Sequence, residues 1–310
     1  MKRICCRNLA LLLAALLILL LGGCASGKEQ KGAVSDSSGV NASSETDRDL
    51  SKTEKEEKTP EKSVGEETIV PTAAAAEEPT PSMTREAAAE PLPTAEPTPE
   101  AAGRMVAIDA GHQSQGNPEQ EPIGPGASET KAKVSSGTYG PASGLNEYEL
   151  NLQVALKLRD ELQARGYQVC MIRETNEVDI SNRERAETAA AAGADILVRI
   201  HANGSEDPSV SGALTMAPSG ENPYVGSLAP ACQELSRDIL DAFCAATGAS
   251  SQGVYITDTM SGINWSTIPV TIVEMGYMTN AREDLNMASG EYQQLMAQGI
   301  ANGIDAYFAG

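Results

Sequence analysis

The sequence predicts an α/β fold in which a mostly parallel, twisted sheet is flanked by helices on both faces. Short apolar runs typical of buried strands alternate, along residues 104–310, with longer stretches whose apolar residues recur at helical spacing. Parallel strands need such crossover connections, so this alternation favours a parallel sheet. All of the Trp, Tyr and Phe residues also lie in this part of the chain. We therefore expect a single folded domain over residues 104–310.

Residues 1–23 have the layout of an export signal. Three basic residues precede an apolar run at 9–21, which is shorter than the roughly 20 residues that a membrane-spanning helix needs. The run ends in Leu-Gly-Gly-Cys, which resembles the lipobox of bacterial lipoproteins. The resemblance implies cleavage before Cys24, lipidation of that cysteine, and anchoring at the outer face of the cytoplasmic membrane. The alternatives are an ordinary signal peptide followed by a chance cysteine, and an uncleaved anchor.

Residues 24–103 are expected to form a disordered tether. This segment is acidic, it is rich in Pro, Ala, Glu, Ser and Thr, and it contains no aromatic residue. Such a composition buries too little apolar surface to offset the entropy lost on ordering. Proline and like charge should keep the segment extended between the membrane and the folded domain.

The first half of the folded part is predicted to contain a strand, a long loop, a helix and a second strand, in that order. The stretch 104–112 (RMVAIDAGH) contains a buried strand, and a long polar loop at 113–145 follows it. Residues 146–165 form a helix that ends at a glycine, because apolar residues recur every fourth position. These are Leu150, Val154, Leu158 and Leu162. A further strand is expected at 167–173.

The second half continues the alternation. Ser181 and Glu184 have the spacing of a capping box, which predicts the start of an alanine-rich helix that ends near Gly193. The later elements are predicted from apolar runs and from helical spacing. They are strands at 195–201, 212–217 and 269–274 and helices at 228–247 and 291–308.

The two histidines of the chain each follow a predicted buried strand. They are His112 and His201, and in open α/β sheets ligands bind at the carboxyl ends of the strands. A catalytic zinc ion commonly takes three protein ligands of the N, O or S type. The acidic candidates for a third group are Glu147, Glu149 and Glu274. The sequence contains no HExxH motif, which excludes the metalloproteases that carry it.

Four separated blocks of the sequence occur in an order and register known from one family. The blocks are IDAGH (108–112), EYELNLQVALKLRDEL (147–162), ADILVRIHAN (194–203) and PVTIVEMGYMTN (269–280). Together they resemble the zinc-dependent N-acetylmuramoyl-L-alanine amidases of bacterial cell walls. The resemblance extends over nearly all of residues 104–308, and it implies one catalytic domain that hydrolyses the bond between N-acetylmuramic acid and L-alanine in peptidoglycan.

The resemblance also implies the roles of individual residues. It makes His112, Glu147 and His201 the ligands of a single zinc ion and Glu274 the catalytic acid–base. Zinc lowers the pKa of its bound water and polarises the substrate carbonyl, while Glu274 would take the proton from that water and pass it to the departing nitrogen. The long loop before Glu147 leaves Glu149 as an alternative ligand; we expect Glu147, because EYELNL aligns with EKDLNL in the family.

The remaining expectations concern the partners of the domain. The net charge of −20, without a basic patch, argues against binding of nucleic acid. We expect a monomer whose substrate is peptidoglycan, and we predict that Asn264 and Trp265 contact the glycan or the peptide. Two other functions stay open: a non-catalytic wall-binding or regulatory lipoprotein, and a peptidase similar to zinc carboxypeptidases.

Overall fold

The structure is a computed structural model that describes residues 101–310. The predicted signal 1–23, Cys24 and the tether as far as residue 100 lie outside the described residues. Ala101 is buried in the core, so the packed region begins before the boundary expected at residue 104. Among the described residues, no helix is long and apolar enough to cross a membrane.

A six-stranded mixed sheet forms the centre of this region. Its strand order is β4-β1-β5-β8-β6-β7. The four strands β4, β1, β5 and β8 run parallel to one another, and β6 and β7 run parallel to each other but antiparallel to β8. The strands of the sheet are β1 (Met105–Ala110), β4 (Gln168–Met171), β5 (Ile196–Asn203), β6 (Ala213–Ala217), β7 (Ser251–Ile256) and β8 (Val270–Tyr277). The predicted fold class is thus confirmed.

Helices cover both faces of the sheet. One apolar core lies between the sheet and helices α1, α3 and α6, and a second lies between the sheet and helices α2 and α4. Alternate residues of one strand enter the two cores, so Val106 and Ile108 face the first and Ala107 the second. The helices are α1 (Glu147–Arg165), α2 (Asn182–Ala191), α3 (Ala229–Thr247), α4 (Ser261–Asn264), α5 (Ala281–Ala288) and α6 (Gly290–Ala309).

The helix ends follow the predicted capping signals. Ser181 and Glu184 form the expected capping box at the start of α2. Gly166 and Gly248 end α1 and α3 in the left-handed conformation that glycine adopts without steric cost.

The polar stretch predicted as a loop at 113–145 contains an antiparallel hairpin. Its strands are β2 (Asn117–Pro122) and β3 (Thr130–Val134). The hairpin is held against the domain by side chains: Trp265 donates from its indole nitrogen to the carbonyl of Pro122 at 2.8 Å, and Lys131 donates to the carbonyl of Thr259 at 2.8 Å. The prediction was wrong here because the hairpin strands are mostly polar and lack the apolar alternation of a half-buried strand.

Candidate metal centre

His112, Glu147 and His201 converge at the carboxyl edge of the parallel strands. The Nε2 atom of His112 lies 3.1 Å from Glu147 Oε1 and 3.1 Å from His201 Nδ1, and the third separation, from His201 Nδ1 to Glu147 Oε1, is 3.2 Å. Zinc–ligand bonds of about 2.0–2.2 Å in tetrahedral geometry require ligand atoms separated by about 3.3 Å. The triangle of donor atoms therefore fits a single divalent ion, and its composition of two imidazoles and one carboxylate suits zinc.

The position of His112 is set by the backbone that follows β1. His112 adopts a φ of 61°, the left-handed region that is uncommon outside glycine. Its Nδ1 lies 2.9 Å from the carbonyl oxygen of Ser135, which orients the ring and makes Nδ1 the protonated nitrogen, so that Nε2 faces the cluster with a free lone pair. At the preceding residue, a Cβ on Gly111 would overlap the imidazole of His201. Only glycine allows the two histidine-bearing segments to approach this closely.

Glu147 is the first residue of α1, and its carboxylate is buried. Its Oε1 accepts from the backbone nitrogen of Ala202 at 3.1 Å and from Asn151 at 3.2 Å, while Oε2 accepts from the backbone nitrogen of Thr138 at 2.9 Å. The alternative ligand Glu149 instead accepts from the backbone nitrogen of Asn146 and closes the capping box of α1. The geometry therefore brings Glu147 into the cluster and leaves Glu149 outside it.

The protonation states of the cluster suit metal binding. Burial opposes ionisation of Glu147, but hydrogen bonds and charge interactions with the two histidines hold the pKa of its carboxyl well below its usual range. Burial lowers the pKa of His201 to about 4, against the opposing effect of Glu147. An ionised carboxylate and a neutral imidazole are the forms that coordinate a metal.

Glu274 lies beside the cluster on the neighbouring strand. It is the register partner of His201 in the parallel pair of β5 and β8. Within the described residues, three buried side-chain atoms have no hydrogen-bond partner: Oε2 of Glu274, Nε2 of His201 and Oδ1 of Asn151. Burial, together with the charge of Glu147, raises the pKa of Glu274 to about 8. Contrary to the prediction, the strand does not end at Glu274 but continues through the apolar residues that follow, to Tyr277.

Comparison with known proteins agrees with this arrangement. Residues 106–306 match the family described as N-acetylmuramoyl-L-alanine amidase. The chain belongs to this family. The protein YqiI of Bacillus subtilis is 31% identical over 209 residues, which are 66% of this chain and 85% of YqiI. The amidase LytC of Bacillus subtilis is 28% identical over 208 residues, which are 66% of this chain but 36% of LytC.

A solved structure has the same fold. The crystal structure of the amidase Ami1 from Mycobacterium smegmatis superposes with a TM-score of 0.61 at 26% identity, and the match covers 67% of this chain and 98% of Ami1. The present chain is therefore a hydrolase of the amidase family that acts on the bond between N-acetylmuramic acid and L-alanine in peptidoglycan. Amidases of this type depend on a metal ion, and the His112–Glu147–His201 cluster is compatible with one.

A buried ionic network lies beneath the centre of the amidase. Asp109, which is inaccessible to solvent, pairs with Arg185 at 2.7 Å and with Arg199 at 2.8 Å. The nearby Arg173 donates to the carbonyls of Ala110 and Gly111. These contacts give Asp109 and Arg173 a structural role. The burial of Arg185 and Arg199 was not predicted, because a charged residue in a helix or strand gives no sign in the sequence that it is buried.

Two clefts adjoin the cluster of His112, Glu147 and His201, and Glu274 lines both clefts. The first, of about 450 Å³, is bordered by Lys131 and Arg199 and by apolar side chains of the sheet. The second, of about 550 Å³, is bordered by Thr138, Glu206 and neutral polar residues. His112 and His201 also line both clefts, so each cleft reaches the candidate metal site.

Asn264 and Trp265, which were predicted to contact the substrate, are engaged within the protein. Asn264 is buried, and its amide bonds with Asn222 and with the carbonyl of Asp258. Trp265 holds the hairpin, as described, and its ring stacks against the guanidinium of Arg183 at 4.4 Å. The structure gives both side chains a positioning role; their contact with substrate stays a prediction.

Proposed function

We propose that the amidase works with a single zinc ion held by His112, Glu147 and His201, and that Glu274 is its general base and acid. The observation that carries this proposal is the unpaired, buried Oε2 of Glu274, which lies in register with a ligand histidine. A buried carboxylate without a structural partner is costly to maintain. Its position suits a group whose partner is the substrate or the attacking water.

Each residue has a separate task in the proposed mechanism. When bound, zinc supplies a water of lowered pKa and polarises the scissile carbonyl. Glu274 accepts the proton of the attacking water and delivers it to the nitrogen of L-alanine as the amide bond breaks. The raised pKa of Glu274 matches a group that must first accept this proton and then release it. The backbone donors at Thr138 and Ala202 keep Glu147 oriented throughout.

The test combines metal analysis with identification of the products. The full chain should contain one zinc ion and should release stem peptides that begin with L-alanine from purified cell wall, as identified by mass spectrometry. Glu274→Gln keeps the shape of the side chain but removes the base, so the rate should fall by about 10²–10⁴-fold with zinc content unchanged. An unchanged rate in this variant would contradict the role of Glu274. Cleavage only within the peptide would favour the carboxypeptidase-like alternative, and zinc binding without cleavage would favour the non-catalytic wall-binding one.

We also propose that residues 104–310 act at the end of a lipid-anchored tether. The lipobox-like Leu-Gly-Gly-Cys sequence supports lipidation at Cys24 after removal of residues 1–23, and the composition of residues 24–103 supports an extended spacer. Together these would hold the enzyme at the outer face of the cytoplasmic membrane, with its catalytic domain in the wall space. Labelled fatty acid should enter the full chain but not Cys24→Ser, and equal labelling of both would contradict the anchor.

We propose that the enzyme is a monomer in solution. The metal cluster and Glu274 all come from one chain, so catalysis requires no second copy. Light scattering of the full chain in detergent, after subtraction of the detergent mass, should give the mass of one chain, and a stable dimer at micromolar concentration would contradict this proposal.

A further inference from the structure

The floor of the first cleft is built from two rows of side chains across three strands. In the row at the metal cluster, His201 of β5 is the register partner of Glu274 of β8. The next row lies two residues earlier on β5 and β8. There Arg199 of β5 is the register partner of Ile272 of β8, and Ile272 is also the register partner of Met216 of β6. Residues two apart on a strand share a face and are separated by about 7 Å. Along the backbone of β5, Arg199 therefore lies two residues of extended chain before His201.

Arg199 lines the cleft, and one nitrogen of its guanidinium has no acceptor among the described residues. Its Nε donates to Asp109 at 2.8 Å and its Nη2 donates to Asn182 at 2.8 Å. The remaining nitrogen, Nη1, lies against the backbone of Gly262, where a Cβ would overlap it. Among residues 101–310, no hydrogen bond joins Nη1 to an acceptor, although the side chain is only 3% exposed. Nη1 is thus a charged donor that stays available on a side chain lining the cleft.

The charge of Arg199 is only partly compensated inside the protein. The single carboxylate of Asp109 is shared with Arg185, so that one negative group serves two buried cations. A second cation, Lys131 of β3, lines the same cleft. Its ammonium donates to a backbone carbonyl, and within the described chain it forms no ion pair. A buried cation without full compensation favours the arrival of an anion. The second cleft is lined by no lysine or arginine, and Glu206 is one of its lining residues. This lining suits a neutral sugar better than a negatively charged peptide.

We propose that the first cleft binds the stem peptide and that Arg199, together with Lys131, selects peptides with a free carboxylate on the residue after L-alanine. This inference rests on the proposed function, because it takes the bond at the metal cluster to be the lactyl–alanine amide. Arginine donates charge-assisted hydrogen bonds to a carboxylate, and these are roughly twice as strong as the hydrogen bond that the neutral oxygen of a carboxamide accepts. The apolar side chains of Ile272 and Met216 lie in the same row as Arg199 and line the cleft, where they fit the methyl group of alanine.

Binding of two matched dipeptides tests the inference without requiring turnover. L-alanyl-D-glutamate γ-methylamide and its α-carboxamide, L-alanyl-D-isoglutamine γ-methylamide, would each be titrated calorimetrically into the zinc-loaded full chain, so that the side-chain carboxylate is blocked in both. The wild type should bind the carboxylate form at least about tenfold more tightly, because a hydrogen bond to a charged group is involved. Arg199→Gln should bind both dipeptides equally. Lys131→Gln, at a half-exposed position that does not threaten folding, should lower the ratio several-fold.

Lys133→Gln provides the matched control, because Lys133 lies on the same strand but pairs with Glu119 at 2.7 Å, outside the cleft. It should keep the wild-type ratio. Equal binding of the two dipeptides by the wild type would overturn the inference, as would an unchanged preference in both the Arg199 and Lys131 variants. Failure of the proposed function looks different. In that case the enzyme leaves cell wall uncut even if it prefers the carboxylate dipeptide. Cleavage of the wall without any dipeptide preference would instead refute this inference and leave the proposed function intact.

Discussion

The guanidinium of Arg185 supports the backbone of the metal-ligand candidate His112. Its Nη2 lies 3.0 Å from the carbonyl oxygen of His112, and its Nη1 donates to Asp109 at 2.7 Å and to the carbonyl of Ala110 at 3.0 Å. Among residues 101–310, His112 is the non-glycine residue with a positive φ. The strained backbone that presents the imidazole is therefore held by a buried cation from α2, a helix that contributes no ligand of its own.

Removal of this cation should weaken both the fold and the metal site. We expect Arg185→Met to lower the free energy of unfolding by about 3–5 kcal/mol, because Asp109 loses a buried partner, and to lower zinc affinity by about 10–100-fold. Denaturant unfolding and competition with a chelator would measure the two effects. Arg183→Met, two residues away at an exposed position, should cost less than about 1 kcal/mol. Similar effects of the two variants would contradict a specific role for Arg185.

Glu147 and Glu149 offer a paired test of the ligand assignment. Glu147→Gln should lower zinc affinity by at least about 100-fold, because a neutral amide replaces the only carboxylate of the cluster. Glu149→Gln should leave zinc affinity unchanged, since glutamine can still serve in a capping box. Chelator competition would measure both variants. If Glu149→Gln loses the metal and Glu147→Gln keeps it, the assignment is wrong.

Gly111 tests the close approach of the two histidine-bearing segments. Gly111→Ala would push a methyl group into the ring of His201, so we expect zinc content and wall hydrolysis to fall below detection. Gly220→Ala is the control, because a Cβ there has open space and the backbone is not in the left-handed region. Full zinc occupancy in Gly111→Ala would show that the two segments can separate without loss of the site.

The ion pairs of Asp109 predict a pH dependence of stability. Burial alone would raise the pKa of this carboxyl, but the charges of Arg185 and Arg199 hold the pKa below its usual range. Because the folded-state pKa is depressed, the stabilisation is present above the unfolded-state pKa of about 3.9 and is lost as the pH falls through the folded-state value.

Asp109→Asn should therefore lower the free energy of unfolding by about 3–5 kcal/mol at pH 7, and its difference from the wild type should shrink steadily below about pH 4. Urea unfolding of the metal-free protein at pH 7 and pH 3 would measure this. A difference of the same size at both values would mean that the ionised form of Asp109 is not what stabilises the fold.

The alternation of strands and helices was predictable because it depends on local patterns. The helical spacing of the apolar residues predicted α1 and α3, and a glycine follows each helix at its end. The position of both histidines after buried strands was sufficient to bring them together at one edge of the sheet, since neighbouring parallel strands end side by side.

The features that were missed depend on tertiary contacts. The hairpin of β2 and β3 is polar and is stabilised by its contacts with Trp265 and Thr259, which are more than 120 residues away along the chain. The burial of Arg185 and Arg199 depends on a shared carboxylate in another strand. Glu147 was expected over Glu149 only from the resemblance to the family, because both glutamates lie in the first turn of α1 and their local spacing does not show which side chain faces the histidines.

The sheet order has a consequence for the newly made chain. The strand that bears Glu274 is the last to be synthesised, yet it is inserted between two strands made earlier, β5 and β6. A polypeptide still emerging from the ribosome or crossing a translocon thus possesses its metal-ligand candidates well before it acquires the proposed base. On the proposed mechanism, such an unfinished chain lacks its general base, so we expect hydrolysis to begin only when synthesis of the domain is nearly complete.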